Sequence, residues 1–329
     1  MSIRLNEVSP EHLMQEMRDQ LQVLREKLLS QVNPNPIRST CTVCASTQVR
    51  FTCQSQGYDM WTCQDCGLIF TNPYPTSEQL HEWYNGDWKR VENTYFTNTL
   101  EGRIKVFLRR VAHIETFVSA GRLLDIGPSI GIFIEALHRS KARFKIDCCE
   151  LSEFCCEELK RAYPEVSVIQ ADFMSMPDTE KYDVVTLWDT VEHLVDLHAT
   201  FARIHKLLSP RGWVFFSTPN TRGFEWQVAG NAHKQLNPPG HLNLLNPTSI
   251  KILLEANNFE VVDSQTFNAS FDIGYVKQLI LEGSIEDERI GLFFKQAMMD
   301  ADFTAMLESY LVSKCLGGNV VTAARRRDT

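Results

Sequence analysis

The sequence predicts an α/β fold: a doubly wound, mostly parallel sheet of seven strands, preceded by a helix and a small metal-binding module. Three observations predict it. Leu123 to Phe133 reads as an apolar strand, a tight small-residue turn and an apolar helix, with Asp125 at the strand's end and Gly127, Pro128, Ser129 and Gly131 in the turn. From residue 122 onward strand and helix signals alternate, the pattern of parallel strands joined by crossover helices. Ahead of them, Cys41-x-x-Cys44 and Cys63-x-x-Cys66 form two knuckles with 18 residues between the pairs.

Composition bounds the partners. With 43% hydrophobic and 22% charged residues over 329 positions, the chain suits one large globular domain plus an appendage. A net charge of −8 and a pI near 5.6 argue against nucleic acid held by a general basic field. Arg325-Arg326-Arg327 is too short a run to change that and reads as a solvated end. No apolar run reaches the roughly 18 residues that span a bilayer, so no membrane partner is expected. Met1 to Glu7 lacks the apolar core of a secretory signal. A reducing cytoplasm is therefore expected, and the ten cysteines read as metal ligands or thiols rather than disulfides.

Residues 1–36 hold a helix and a linker. Over 9–31 Ser9 can cap, Pro10 suits the first turn, and Leu13, Met17, Leu21, Leu24 and Leu28 make one apolar stripe. That stripe suits two uses: packing on its own domain, or a short homodimer contact with a second copy. Asn33-Pro34-Asn35-Pro36 ends the helix.

Residues 37–76 form the metal module. Cys41, Cys44, Cys63 and Cys66 fit one tetrahedral zinc ion, with a rubredoxin-like iron or plain thiols as alternatives. Four thiolates leave no open position, so the metal is structural. The stretch between suits a β-hairpin turning at Gln56-Gly57-Tyr58-Asp59, with Cys53 a bystander. Residues 77–118 read as a helical cap rich in aromatics: Trp83, Tyr84, Trp88, Tyr95, Phe96, Phe107 and Phe117.

From 119 to 329 the sheet is laid out. Strands are expected near 122–126, 145–150, 166–170, 182–187, 212–217 and 259–267, with a last one after Gly317-Gly318. Helices are expected near 131–140, 152–162 and 199–208, and a helical insertion at about 268–313. Cys148, Cys149, Cys155 and Cys156 lack any regular ligand spacing and read as small core residues. The second strand ends in Glu150, 25 positions after Asp125, where a carboxylate can accept both hydroxyls of a ribose.

The turn decides between two ligand classes. Dinucleotide enzymes want G-x-G-x-x-G. Here Ser129 stands for the middle glycine and the last glycine is missing. Asp125-x-Gly127-x-x-x-Gly131 instead resembles the first motif of class I S-adenosylmethionine-dependent methyltransferases, whose sheet is Rossmann-like and seven-stranded. Gln170-Ala171-Asp172-Phe173 resembles that family's adenine pocket, and Leu187-Trp188-Asp189-Thr190-Val191-Glu192-His193-Leu194 the Glu-His motif of its small-molecule members. Gly67 to Pro75 resembles the exit of the zinc ribbon that precedes some bacterial members, and the ending at 317–324 their antiparallel seventh strand. Ser129 for the usual glycine and Asp189 where His or Asn is common are departures.

The resemblance covers about residues 40–324 and implies S-adenosyl-L-methionine as cofactor beside the structural Zn2+. It implies binding by Asp125, Gly127, Pro128, Ser129, Gly131, Glu150, Leu151, Asp172, Phe173, Trp188 and Asp189, with Tyr84 and Tyr95 available as a lid. His193, with an unperturbed pKa near 6.5, suits a general base, and Glu192 and His241 join it as catalytic candidates. Bracing the loop is the alternative role for all three. In some relatives acidic residues and a His hold a divalent cation here, a role open to Asp189, Glu192 and His193. The long loop from Phe224 to His241 is expected to be functional. The expected acceptor is a small molecule or carrier-linked metabolite or sugar, with O-methylation favoured over C-methylation. Two other readings stay open. One is an RNA or protein methyltransferase docking through its ribbon, although Arg50 is the ribbon's only basic residue between Cys41 and Cys66. The other is a non-catalytic assembly partner.

Overall fold

The computed structural model describes residues 11–177, 179–266, 273–281, 285 and 287–328. The first helix, α1, runs from Glu11 to Leu29; the expected cap at Ser9 and Pro10 lies outside the described residues. Leu21 and Leu28 of its stripe are buried with Trp83 and Trp88, and Met17 and Leu24 pack beside them. Leu21 and Leu28 of the stripe are thus packed within the chain.

The ribbon strands are β1 (Val49–Ser55), β2 (Tyr58–Cys63) and β3 (Ile69–Thr71). Gln56 and Gly57 carry φ of 51° and 85°, the two positive values that a two-residue hairpin turn needs. Three cap helices follow: α2 (Ser77–Tyr84), α3 (Trp88–Asn98) and α4 (Leu100–Glu115). A capping box between Thr76 and Gln79 starts α2.

Next come β4 (Ala120–Ile126), α5 (Ile132–Ser140), β5 (Arg143–Glu150), α6 (Glu153–Ala162), β6 (Ser167–Gln170), β7 (Tyr182–Trp188), α7 (Leu197–Leu207) and β8 (Leu208–Pro219). Then α8 (Phe224–Ala229), β9 (Asn243–Leu244), α9 (Pro247–Ala256) and β10 (Phe259–Gln265) lead to the inserted helices α10 (Ile273–Leu281), α11 (Glu288–Ala297) and α12 (Ala301–Ser313), and β11 (Asn319–Arg326) closes the sheet. The seven strands lie in the order β10-β11-β8-β7-β4-β5-β6. β8, β7, β4, β5 and β6 are parallel to their neighbours, and β11 runs antiparallel between β8 and β10. The order reverses between β4 and β7, so the crevice at their carboxyl ends is where a ligand belongs.

The four cysteines 148, 149, 155 and 156 are buried thiols. One core cluster runs without a break from Cys41, Cys63, Cys66, Leu68 and Phe70 of the ribbon to Leu124, Val185 and Phe216 of the sheet. The sequence offers no sign of β9. It extends the ribbon into a four-stranded sheet, β1-β2-β3-β9, by pairing Ile69 with Leu244 and Phe70 with Asn243.

Candidate active site

The turn after β4 is left-handed at three positions: Gly127 (φ 72°), Ser129 (φ 52°) and Gly131 (φ 84°). Ser129 is the exception to the preference for glycine there. A Cβ on Gly131 would fall 2.7 Å from the Tyr163 ring and 2.8 Å from Leu159. A Cβ on Gly127 would meet Thr190 at 3.1 Å. The two glycines thus serve backbone twist and close packing of the protein on itself. Pro128 is buried, and its carbonyl accepts from Gly131 N at 2.9 Å.

Glu150 turns its carboxylate onto this turn. Oε2 accepts from Ser129 N at 3.1 Å, and Oε1 accepts from Leu151 N and Ser152 N, both at 2.9 Å. A carboxylate offers about four lone-pair directions, so one remains. The Glu150 carboxylate thus keeps one lone-pair direction unspent. Burial raises its pKa. At the floor, Asp125 is 1% exposed; its Oδ1 accepts from Thr186 Oγ1 at 2.7 Å. Burial lifts its carboxyl to about 7.

Asp172 spends one oxygen as a cap, accepting from Met174 N at 2.9 Å. Phe173 is 6% exposed and belongs to the same core cluster as Leu124 and Cys149. The apolar groups left open on that side are Leu151 and Met174, 60% and 40% exposed.

Trp188 is packed edge-on against Phe107 and Phe133, at 6.1 Å and 5.2 Å between ring centres. Asp189, next in the chain, takes φ 50°. Its Oδ1 accepts from Ser217 Oγ and Asn319 Nδ2, both at 2.9 Å. Its Oδ2 accepts from Arg110 Nη2 at 3.1 Å. Burial raises its pKa, but the Arg110 charge and the hydrogen bonds outweigh it and hold the carboxyl below the usual value. Nothing in the sequence marks Arg110 or Asn319: one is a single arginine on an amphipathic helix, the other a polar residue opening an edge-side strand.

On the far side of Asp189, the Nδ1 of His193 lies 2.8 Å from the carbonyl of Gly240, and the Nδ1 of His241 lies 2.9 Å from that of Gln235. A carbonyl only accepts, so both rings carry their proton on Nδ1 and keep Nε2 as a lone pair. The rings stand edge to face at 4.9 Å, and the Tyr84 ring abuts His193 at 6.2 Å. Burial lowers the His193 pKa to about 4 and that of His241 to about 3. Both are neutral at pH 7, well below the value near 6.5 that the sequence alone allows. Glu192 is 1% exposed, and burial, then the Asp189 charge, lifts it to about 8. Glu192, His193 and His241 each offer a ligand atom within 4.8 Å of the others. His241, rather than Asp189, completes that group among the described residues. Tyr95 is 5% exposed beneath the Arg103 guanidinium, so Tyr84 alone of the two lid candidates abuts His193.

Among the described residues, Asp125 Oδ2, Trp188 Nε1, Arg110 Nε and Nη1, Glu192 Oε2 and Tyr84 Oη are buried without a hydrogen-bond partner. A buried orphan of this kind costs on the order of 1–3 kcal/mol. Asp125 and Trp188 near the ends of β4 and β7, Glu192 just beyond β7, and Arg110 and Tyr84 on the cap helices together fit a site built for a polar ligand. The donor set suits S-adenosylmethionine: an acid beside the turn for a ribose, and acids on the floor for a cationic ligand.

A family model described as a methyltransferase domain matches residues 97–264, 168 of the 329 positions. The chain belongs to that family. This methyltransferase is 32% identical over 119 residues to a ubiquinone biosynthesis O-methyltransferase of Bordetella avium, covering 33% of the chain and 48% of that relative. To the protein of the same description from Hydrogenovibrio crunogenus it is 30% identical over 160 residues, covering 46% and 66%. It thus spans about half the length of the first of these curated relatives. Among solved structures it is similar to an S-adenosylmethionine-dependent methyltransferase of Archaeoglobus fulgidus, with 16% identity, a TM-score of 0.47, and 71% and 99% of the two chains covered. Coclaurine N-methyltransferase bound to N-methylheliamine and S-adenosylhomocysteine is another, at 13% identity and TM-score 0.45, with 96% and 88% covered.

The second site lies in the ribbon. Sγ of Cys41 is 3.6 Å from that of Cys66, and Sγ of Cys44 is 3.5 Å from that of Cys63. All four sulfurs lie within 4.8 Å of one another. A zinc tetrahedron with Zn–S bonds of about 2.3 Å has edges of about 3.8 Å, so the tetrad fits Zn2+. No helix of the described residues is long and apolar enough to cross a membrane.

Proposed function

We propose that the chain transfers the methyl group of S-adenosylmethionine to a hydroxyl of a small molecule or carrier-linked metabolite or sugar. The observation that carries this is two groups near the strand ends: Glu150, bonded to the glycine turn, and the neutral imidazole of His193, proton on Nδ1. When bound, S-adenosylmethionine supplies a methyl already activated on a sulfonium. The chain's part is to place the acceptor and take its proton. His193 Nε2 accepts that proton, and the Gly240 carbonyl, bonded to Nδ1–H, stabilises the imidazolium that results. Protonated Glu192 and the Nε2 lone pair of His241 hold the acceptor's polar groups, and the Tyr84 ring screens them from water. The relatives described as O-methyltransferases support oxygen as the accepting atom.

The test is calorimetric titration with S-adenosylhomocysteine, followed by transfer of labelled methyl into mixed acceptors separated by size. Binding with label in the small-molecule fraction is expected. Absence of binding heat removes the enzyme reading, and label in RNA or protein replaces the acceptor class.

A further inference from the structure

We propose that the cysteine-held metal site positions the His193–His241 pair, acting through Tyr74, Asn243 and Asn246. This rests on the reading of the two imidazoles as acceptor-side groups. It concerns what sets their tautomers.

The loop that ends at β9 provides both carbonyls that hold the imidazoles, at Gln235 and Gly240. That loop is tied down from the ribbon. Thr71 N donates to Leu242 O at 2.9 Å, while Leu242 N donates to Glu192 O at 2.8 Å. One residue thus bridges the ribbon and the Glu-His turn through its backbone. Asn243, fully buried, repeats the bridge with its side chain: Oδ1 accepts from Tyr74 Oη at 2.6 Å, and Nδ2 donates to Leu194 O at 2.7 Å. Asn246, equally buried, caps α9 with Oδ1 and donates from Nδ2 to the Cys66 carbonyl at 3.0 Å. Gly67, left-handed at φ 73°, lies so close that a Cβ there would sit 3.0 Å from Asn246 Nδ2.

The ribbon's strands alone do not set the knuckle. β3 has three residues, and β1 is mostly exposed. The ribbon's buried side chains, Leu68 and Phe70 among them, join the sheet's core rather than forming one of their own, so a metal that closes the four thiolates is what fixes the knuckle carrying Cys66. The order of dependence therefore runs from the metal to Cys66 and β3, from these to Asn246 and β9, and from β9 to the carbonyls that fix Nδ1–H on both histidines. The turn at 127–131 and Glu150 lie outside this chain of contacts.

The experiment uses the full chain labelled with 15N-histidine, where long-range 1H–15N spectra distinguish a ring protonated on Nδ1 from one protonated on Nε2. His193→Gln and His241→Gln assign the two signals. The zinc-loaded protein is expected to show both rings in the Nδ1–H form. Stripping the metal with a chelator, or Tyr74→Phe in the loaded protein, is expected to move both to a majority Nε2–H form. Re-adding Zn2+ to the stripped protein reverses the change, and affinity for S-adenosylhomocysteine stays within about twofold throughout. Should stripping unfold the whole sheet, the loaded Tyr74→Phe protein decides. Unchanged tautomers in that variant overturn the proposal, as does loss of the tautomers only together with ligand affinity. Failure of the loaded protein to bind S-adenosylhomocysteine would refute the enzyme reading and leave the tautomer result standing.

Discussion

Arg110 lies under Asp189, with its Nη2 3.1 Å from Oδ2 and its side chain only 3% exposed. The guanidinium is also stacked 4.8 Å from the Trp188 ring centre and 4.5 Å from that of Phe107. With Ser217 and Asn319 on the other oxygen, Asp189 gathers α4, β7, β8 and β11 at one point on the crevice floor.

Asp189→Asn keeps a residue tolerant of positive φ but leaves Arg110 a buried, uncompensated charge. Because the Asp189 side chain is 43% exposed and solvent screens the pair, stability should fall by about 1 kcal/mol, read from chemical denaturation. Adding Arg110→Met should recover much of the loss. Simple additivity of the two costs would show that the pair is not coupled.

Glu150→Gln removes the charge that the turn's N–H groups hold in place. Affinity for S-adenosylhomocysteine should drop about tenfold or more, the loss of one charge-assisted hydrogen bond. Calorimetry measures it, with circular dichroism to confirm that the sheet persists. Unaltered affinity would move the ribose away from this residue.

His193→Ala should cut kcat by about a hundredfold if Nε2 takes the acceptor's proton. A change under about twofold in folded protein returns His193 to bracing the loop. The pH profile of kcat/KM is a second check. Burial holds the free-protein pKa at about 4, so the ring is already neutral at pH 6 and its acid limb should lie near pH 4. A limb centred at the ordinary histidine value would contradict the burial.

Glu225 is 1% exposed with both carboxylate oxygens unpartnered among the described residues, packed against Gly318. Burial raises its pKa from 4.5 to about 8. A raised folded-state pKa favours the native state below pH 4.5, and that advantage is lost as pH climbs through 8. Glu225→Gln, which never ionises, should therefore gain stability relative to the parent between pH 5 and pH 8, on the order of a few kcal/mol. Denaturation curves at the two pH values give the difference; an equal offset at both would mean the carboxyl ionises freely in place.

The seven-stranded sheet was legible because each strand–helix unit carries its own period, from Leu123 to Phe133 and again from Ile146 to Leu159. Glu150 could be located because parallel neighbours end side by side. The cysteine pairs announced a tetrad through spacing alone. Other features left no local trace. Arg110 matters only because α4 packs across β7, a distance of 79 residues in sequence. The tautomers of His193 and His241 depend on carbonyls in a loop without periodicity. The close approach of Gly131 to Tyr163, 32 positions on, has no signal in the motif. β9 is two residues long, too short for alternation to register.

The pairing of β3 with β9 also bears on engineering. A ribbon cut out at residue 76 would carry an unpaired strand edge, and the recipient would miss the segment that edge was shaped to meet. Grafting between homologues, or shuffling by recombination, should treat residues 37–76 and 233–246 as one transferable cassette, although more than 150 positions of chain separate them.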